Sequence, residues 1–344
     1  MSTPTADNHT AFTEVPVIDI GALVSSDPDP AALAAVVDRI GAACRDVGFF
    51  YVANHGIDAA DSARMFATAK EFFELPLAEK MKIRLGGSTN QFRGFVPLGG
   101  EVTAGKTDWH ECLDLQPQWG RDAASAARVR APRDGHPLDD PEQWPPALPE
   151  FRTVMTRAWD QLWSVSARIA AGMALSLGLA EGFFAQYEGA ELSDLRLIHY
   201  PPSARPVTPH APEGVSIDQT DLGFGAHVDY GFLAVLQQDG VGGLEVRNAE
   251  GEWIAAPHIP GTFLVNIGLM MQRWTNDRYQ ATWHRVQIPG DRDRYSIPFF
   301  FEPRFDAVVT PLPQCCDADN PPRYEPCEFG PYVVDLFAKA YDGV

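Results

Sequence analysis

Basic residues are in short supply. The 344-residue chain has 27 Lys plus Arg against 46 Asp plus Glu, a formal net charge of −19. That balance argues against a nucleic-acid partner and against an anionic membrane surface. It also means that net charge cannot draw in an anionic ligand, so a local basic group must hold one. Cysteine is sparse as well: Cys44, Cys112, Cys315, Cys316 and Cys327 are odd in number, scattered and without zinc spacing. A reduced, cytoplasmic setting is the simple expectation. No apolar run reaches transmembrane length, and Met1 to Asp7 lacks a signal-peptide pattern. Internal repeats and low-complexity segments are missing too. What remains is a chain long enough for a large core or two subdomains.

Hydrophobic periodicity changes character along the chain. Residues 1–14 read as a mobile tail, and Val15 to Ile20 alternates like an edge strand. Leu33, Val36, Val37, Ile40, Cys44 and Val47 recur at helical spacing, which predicts a helix from about Pro30 to Val47. Pro30 suits its first turn and Gly48 its end. Gly48 to Val52 reads as a buried strand, and a second helix is expected from about Ala60 to Glu74, stopping before Pro76. Residues 118–148 look like an irregular surface connection. A long helix from about Phe151 to Leu179 follows, with Trp159, Trp163 and Met173 on one side. From Leu195 onward short strands with Gly and Pro punctuation take over, as in a sandwich or barrel. A last helix covers about Pro331 to Tyr341.

The chemistry concentrates at His227-Val228-Asp229, the one place where a carboxylate follows a histidine by two residues. On a strand, residues two apart share a face, so one short strand can offer an imidazole nitrogen and a carboxylate oxygen to one ion. His284 lies further on in a β-prone apolar stretch. Two histidines and one carboxylate on one face of an octahedral ion leave the opposite positions open, the arrangement of non-haem Fe(II) oxygenases. After Pro289-Gly290-Asp291 a new strand carries Arg294 and Ser296 on one face. A planar guanidinium beside a hydroxyl is a receptor for a carboxylate, and a hairpin would set it next to the His284 strand. The pair of features fits 2-oxoglutarate as cosubstrate.

At these residues the chain resembles the 2-oxoglutarate/Fe(II)-dependent dioxygenases of the isopenicillin N synthase-like type. Val15 to Ile20, Gly48 to Ile57, Phe72 to Pro76, Arg93-Gly94-Phe95, Tyr200-Pro201-Pro202, Gly242-Gly243-Leu244 and Val265 to Gly268 carry the resemblance in order and spacing. So do the segments around His227, His284 and Arg294. Glu101 to Lys106 is similar to the bacterial and fungal branch that includes ethylene-forming enzymes. The resemblance implies an α+β protein with a double-stranded β-helix (jelly roll) core and flanking helices. It implies an N-terminal helical and strand region over 15–190, the Fe(II)/2-oxoglutarate jelly roll over 191–305, and a C-terminal extension with a lid helix over 306–344.

His227, Asp229 and His284 are then the expected metal ligands, and Arg294, Ser296 and Tyr200 the expected cosubstrate receptor. Fe(II), 2-oxoglutarate and O₂ are the implied cofactor and cosubstrates. The implied reaction decarboxylates 2-oxoglutarate to succinate and CO₂ while a C–H bond of a small metabolite, of the kind found in secondary metabolism, is oxidised. Hydroxylation is the default; desaturation, ring closure and epoxidation are variants. A 2-oxoglutarate-independent oxidase, an ethylene-forming-like enzyme and a non-enzymatic jelly-roll binding protein are the alternatives.

Phe92, Trp109, Phe232 and Phe301 are expected to line the substrate space, inside an apolar shell with Phe224, Trp283 and Phe299. The Ser203–Leu222 connection and the helix around Tyr332 and Phe337 are expected lids. His199 should face away from the site because adjacent strand residues alternate. His55 reads as a satisfied loop residue, His110 as either channel-lining or exposed, and His210 and His258 as solvated. Arg93 reads as either a substrate partner or a salt bridge, Met270-Met271 as core, and Cys315-Cys316 as bystander thiols. Leu269, Val228 and Thr275-Asn276-Asp277 depart from the family pattern without touching a ligand.

Overall fold

Local signals set the helices. Asp29 caps the Pro30–Asp46 helix by accepting from the Ala32 amide, with Pro30 at its start. Asp58 does the same for Ala59–Phe73 through the Ala60 amide. The long helix spans Phe151–Ser176 and the last one Phe329–Tyr341. A short helix, Leu269–Trp274, buries Met270 and Met271. Gly48 ends the first helix at φ 73°, and a Cβ there would come within 2.3 Å of the Gln280 carbonyl, so only glycine fits.

The computed structural model describes residues 11–85, 93–103, 105–116, 143–202, 222–287 and 290–341. Its strands are β1 (Val17–Asp19), β2 (Phe49–Ala53), β3 (Gly94–Val96), β4 (Val102–Thr103), β5 (Lys106–Thr107), β6 (Glu111–Leu115), β7 (Asp194–Tyr200) and β8 (Phe224–His227). They continue with β9 (Leu233–Gln238), β10 (Leu244–Arg247), β11 (Trp253–Ala255), β12 (Thr262–Ile267), β13 (His284–Val286), β14 (Arg294–Phe301), β15 (Val308–Val309) and β16 (Cys327–Glu328). Eight form one sheet in the order β1-β2-β12-β9-β14-β7-β6-β3, and four form a second, β11-β10-β13-β8. This is a jelly roll with helices against one side. The large sheet draws strands from both the 15–190 and the 191–305 segments.

Strand parity divides the core. Odd residues of β14, namely Tyr295, Ile297, Phe299 and Phe301, pack with the Phe151–Ser176 helix in one large cluster. Trp159 meets Phe299 edge-on at 5.4 Å and Trp163 meets Phe301 at 4.7 Å. The other face looks into the roll, where Phe49, Tyr51, Ile198, Tyr200 and Leu264 meet Leu244, Val246 and Val286 of the small sheet. Phe12, within the stretch expected to be a tail, is buried here.

Two expectations need correction. β13 and β14 are not a hairpin: β13 pairs with β10 and β8, whereas β14 pairs with β7 and β9 in the other sheet. The chain crosses between sheets, so His284 and Arg294 face each other across the roll's interior rather than side by side. His110 is not exposed; it is 2% accessible. Phe92, His210, residues 203–221 and the side chain of Phe337 lie outside the described residues, as does most of the 118–148 connection. Among the described residues no helix is long and apolar enough to cross a membrane.

Candidate active site

His227 closes β8, Asp229 follows two residues later, and His284 opens β13 directly opposite His227 in the antiparallel register. The two imidazole centroids are 4.2 Å apart. His227 Nε2 and His284 Nε2 lie 3.5 and 3.7 Å from Asp229 Oδ1, and one donor atom from each residue falls within 4.8 Å of the others. Such spacing suits three ligands around one ion. Each Nδ1 is committed elsewhere: that of His227 to the Gly225 carbonyl at 2.7 Å, that of His284 to the Thr282 carbonyl at 3.1 Å. A carbonyl can only accept, so Nδ1 carries the proton and Nε2 keeps its lone pair. Asn266 Nδ2 donates to Asp229 Oδ2 at 2.6 Å, which turns Oδ1 toward the histidines. Phe224 stacks on His227 at 4.2 Å, and Phe49 meets His284 edge-on at 5.2 Å.

The electrostatics favour a cation. Burial alone would raise the Asp229 carboxyl, but His284, His227 and Asn266 outweigh it and hold the group well below the usual carboxylate range. Burial, with repulsion from His227, pushes His284 down to about 4, against the pull of Asp229. An ionised carboxylate beside imidazole lone pairs is a ready donor set.

Across the roll, Arg294 pairs with Tyr200 in register, and its guanidinium carbon sits 4.6 Å over the Tyr200 ring. Arg294 is 1% accessible; its Nε donates to the Gly242 carbonyl at 2.6 Å, but Nη1 and Nη2 have no hydrogen-bond partner among the described residues. A buried guanidinium cannot shed its proton, so two orphaned donors side by side are costly unless a carboxylate takes them. Ser296 is buried two residues along on the same face. Burial raises the Tyr200 phenol, opposed by Arg294 and Ser296, so it stays a hydrogen-bond donor. A Cβ at Gly223 would lie 2.9 Å from the Tyr200 ring, so the strand leading to His227 rests on this receptor.

The aromatic expectations fare unevenly. Phe224 does stack on a site histidine, and Trp283 is half-buried beside His284. Phe301 and Phe299 point the other way: seven and five residues from Arg294 are odd separations, which puts them on the opposite face. Phe232 joins them, packed on Phe184 and Trp274 at 5.0 and 5.8 Å. The β14 aromatic that does share the Arg294 face is Phe300. Trp109 is 5% accessible and donates from Nε1 to the Pro201 carbonyl at 3.0 Å. Sequence reasoning missed Asn266, whose signal is a lone amide in the apolar run of β12. It also missed the buried ion-paired group of Glu101, Asp114, Asp194 and Arg196, brought together from three separate segments.

His199 turns outward as expected, bridging Glu111 at 2.8 Å and Asp293 at 2.9 Å. His55 is stacked on Phe263 and contacts the Ile57 amide, a structural role. All five cysteines are free.

The comparisons with known proteins agree with this geometry. Residues 15–147 match the model of the N-terminal region of non-haem dioxygenases of the morphine-synthesis type, and residues 192–303 match that of the 2OG-Fe(II) oxygenase superfamily. The chain is 36% identical to a homoarginine-6-hydroxylase of Oryza sativa subsp. japonica, over 94% of this chain and 96% of the relative. It is 32% identical to a 2-oxoglutarate-Fe(II) type oxidoreductase of Emericella nidulans, over 96% and 91%. The crystal structure of a full-length Neurospora crassa protein in complex with alpha-KG and thymine superposes with a TM-score of 0.77 at 25% identity, covering 95% of this chain and 97% of that one. The protein is an oxidoreductase that belongs to the 2-oxoglutarate/Fe(II)-dependent oxygenase superfamily.

Proposed function

We propose that His227, Asp229 and His284 hold the Fe(II), that Arg294, Ser296 and Tyr200 hold the far carboxylate of 2-oxoglutarate, and that the enzyme hydroxylates a C–H bond of a small amino-acid-like metabolite. The observation that carries the cosubstrate half is the buried Arg294 guanidinium with both Nη atoms unpartnered among the described residues. The donor set of two Nε2 lone pairs and one ionised carboxylate carries the metal half. Several curated relatives are named homoarginine-6-hydroxylases, which supports hydroxylation and an amino-acid substrate.

Bound Fe(II) would supply the O₂ chemistry that couples decarboxylation of 2-oxoglutarate to substrate oxidation: 2-oxoglutarate, O₂ and R–H become succinate, CO₂ and R–OH. The chain's own groups do the rest. Asn266 fixes the rotation of the Asp229 carboxylate, and the Gly225 and Thr282 carbonyls fix the imidazole tautomers. Arg294 orients the cosubstrate through a bidentate pair. Phe224 and Phe49 shield the metal end from water.

The test is Fe(II) binding and 2-oxoglutarate-dependent succinate release by Asp229→Ala and His284→Ala. Both activities should fall below detection while the circular dichroism spectrum stays native. Turnover near the wild-type rate in either variant would overturn the ligand assignment, and succinate-free turnover would replace 2-oxoglutarate with another reductant.

A further inference from the structure

The inner face of the large sheet can be read as rows across the strands. One row runs Asn266–Ala234–Phe300–Asp194 through β12, β9, β14 and β7. Asn266 grips Asp229 at the metal end. Asp194, three strands away, is about 14 Å from Asn266 at about 4.8 Å per strand. Between them lie only Ala234 and Phe300, an apolar floor. At the far end, Asp114 faces Arg196 across β6 and β7, and Gln116 follows two residues after Asp114.

This far end is polar, buried and short of donors. Arg196 is held by Asp114 through Nε at 2.6 Å and by Glu101 through Nη2 at 2.6 Å. Glu101 also takes His110 Nε2 at 2.8 Å. Asp194 is 9% accessible and Gln116 6%, yet Asp194 Oδ1 and Gln116 Oε1 accept no hydrogen bond from the described residues. Burial, with Asp114 as the next contributor, outweighs Arg196 and the Leu115 amide and pushes the Asp194 carboxyl well above the usual carboxylate range, so it keeps a proton. Both orphans are acceptors, and the arginine is flanked by two carboxylates, so an anion finds little here. A group rich in N–H donors and carrying positive charge would satisfy both oxygens and let Asp194 ionise.

Building on the iron-site reading above, we propose that Asp194 and Gln116 form the subsite for the substrate's cationic head, a guanidinium or ammonium. A short unbranched chain then lies across Ala234 and Phe300 and brings a carbon to the metal end. The enzyme's substrates are small cationic amines or amino acids. Specificity resides in the row of acceptors opposite the metal.

The experiment is calorimetric titration of the anaerobic Fe(II)·2-oxoglutarate enzyme with L-homoarginine, with its neutral isostere L-homocitrulline and with anionic L-2-aminoadipate. L-Arginine, L-lysine and agmatine extend the cationic set. Cationic probes should bind about tenfold tighter or more than the neutral isostere, the size of effect a charge-assisted hydrogen bond adds. Asp194→Asn should erase that preference and leave 2-oxoglutarate affinity, titrated separately, unchanged. If Asp194→Asn does not fold, Gln116→Leu should weaken the preference in part. Equal binding of neutral and cationic probes, tighter binding of aminoadipate, no binding by any cationic probe, or an intact preference in Asp194→Asn would each overturn the subsite. Loss of 2-oxoglutarate binding in the wild type would instead count against the iron-site reading.

Discussion

Arg294 shows how one side chain can define a ligand. Its charge is permanent, it is 1% accessible, and its two terminal nitrogens are unpaired among the described residues. A carboxylate restores what burial removed. Arg294→Gln should therefore raise the apparent KM for 2-oxoglutarate sharply, because losing one partner of a buried charged pair costs about 2–5 kcal/mol. The KM for the substrate being oxidised should move far less. Succinate release measured across both concentrations separates the two, and an unchanged 2-oxoglutarate KM would place that carboxylate elsewhere. At this scale the sequence was most legible where chemistry sits on neighbouring residues: His227 and Asp229, or Arg294 and Ser296, share a face by strand period alone. Asn266, Asp194 and Gln116 were silent because their roles come from register between distant strands, and no local pattern encodes register.

Elements carry a second kind of information. On β7 and β14, alternation sends Tyr200 and Arg294 inward and His199 and Tyr295 outward, where the latter two rings stack at 4.7 Å. Outside, a buried line of charge runs Lys80–Glu111–His199–Asp293 and ties the helical layer to the start of β14. Burial would lower the His199 imidazole, but its bonds to Asp293 and Glu111 outweigh that and raise it above 6.5. Burial would raise Glu111, but His199 and Lys80 draw it below 4.5. The His199 contribution is therefore complete below pH 6.5 and lost as pH rises through the higher native value. The Glu111 contribution is present above pH 4.5 and lost as pH falls through the lower native value. The brace is strongest between those limits. His199→Gln should melt lowest relative to wild type inside that window, with the gap closing on the alkaline side. A gap that stays constant with pH would show that the imidazole only fills space. The same alternation was available for Phe299 and Phe301, since counting residues from Arg294 gives odd separations, which put both on the opposite face.

At the scale of the molecule, the large sheet is a wall between two environments. One face builds the helix-backed core, and the other lines the interior of the roll. Helix and strand content were readable from period and capping, but the pairing that makes β13 and β14 members of different sheets was not, because a turn sequence does not say whether the chain folds back or crosses over. The division predicts opposite phenotypes for adjacent residues. Phe301 lies fully buried against Trp163, and truncating such a phenylalanine costs about 3–5 kcal/mol. Phe301→Ala should lower the melting temperature by several degrees and leave the order of preference among cationic and neutral substrates intact. Phe300 is half-buried on the inner row between Ala234 and Asp194. Phe300→Ala should melt closer to wild type, yet change substrate KM and the position of oxidation, because a looser floor lets the substrate chain shift against the metal end. Melting curves paired with product mass spectrometry on the two variants test the division. If both variants melt alike and both keep the wild-type product, the inner face at Phe300 is not the substrate floor, and the row from Asn266 to Asp194 loses its middle.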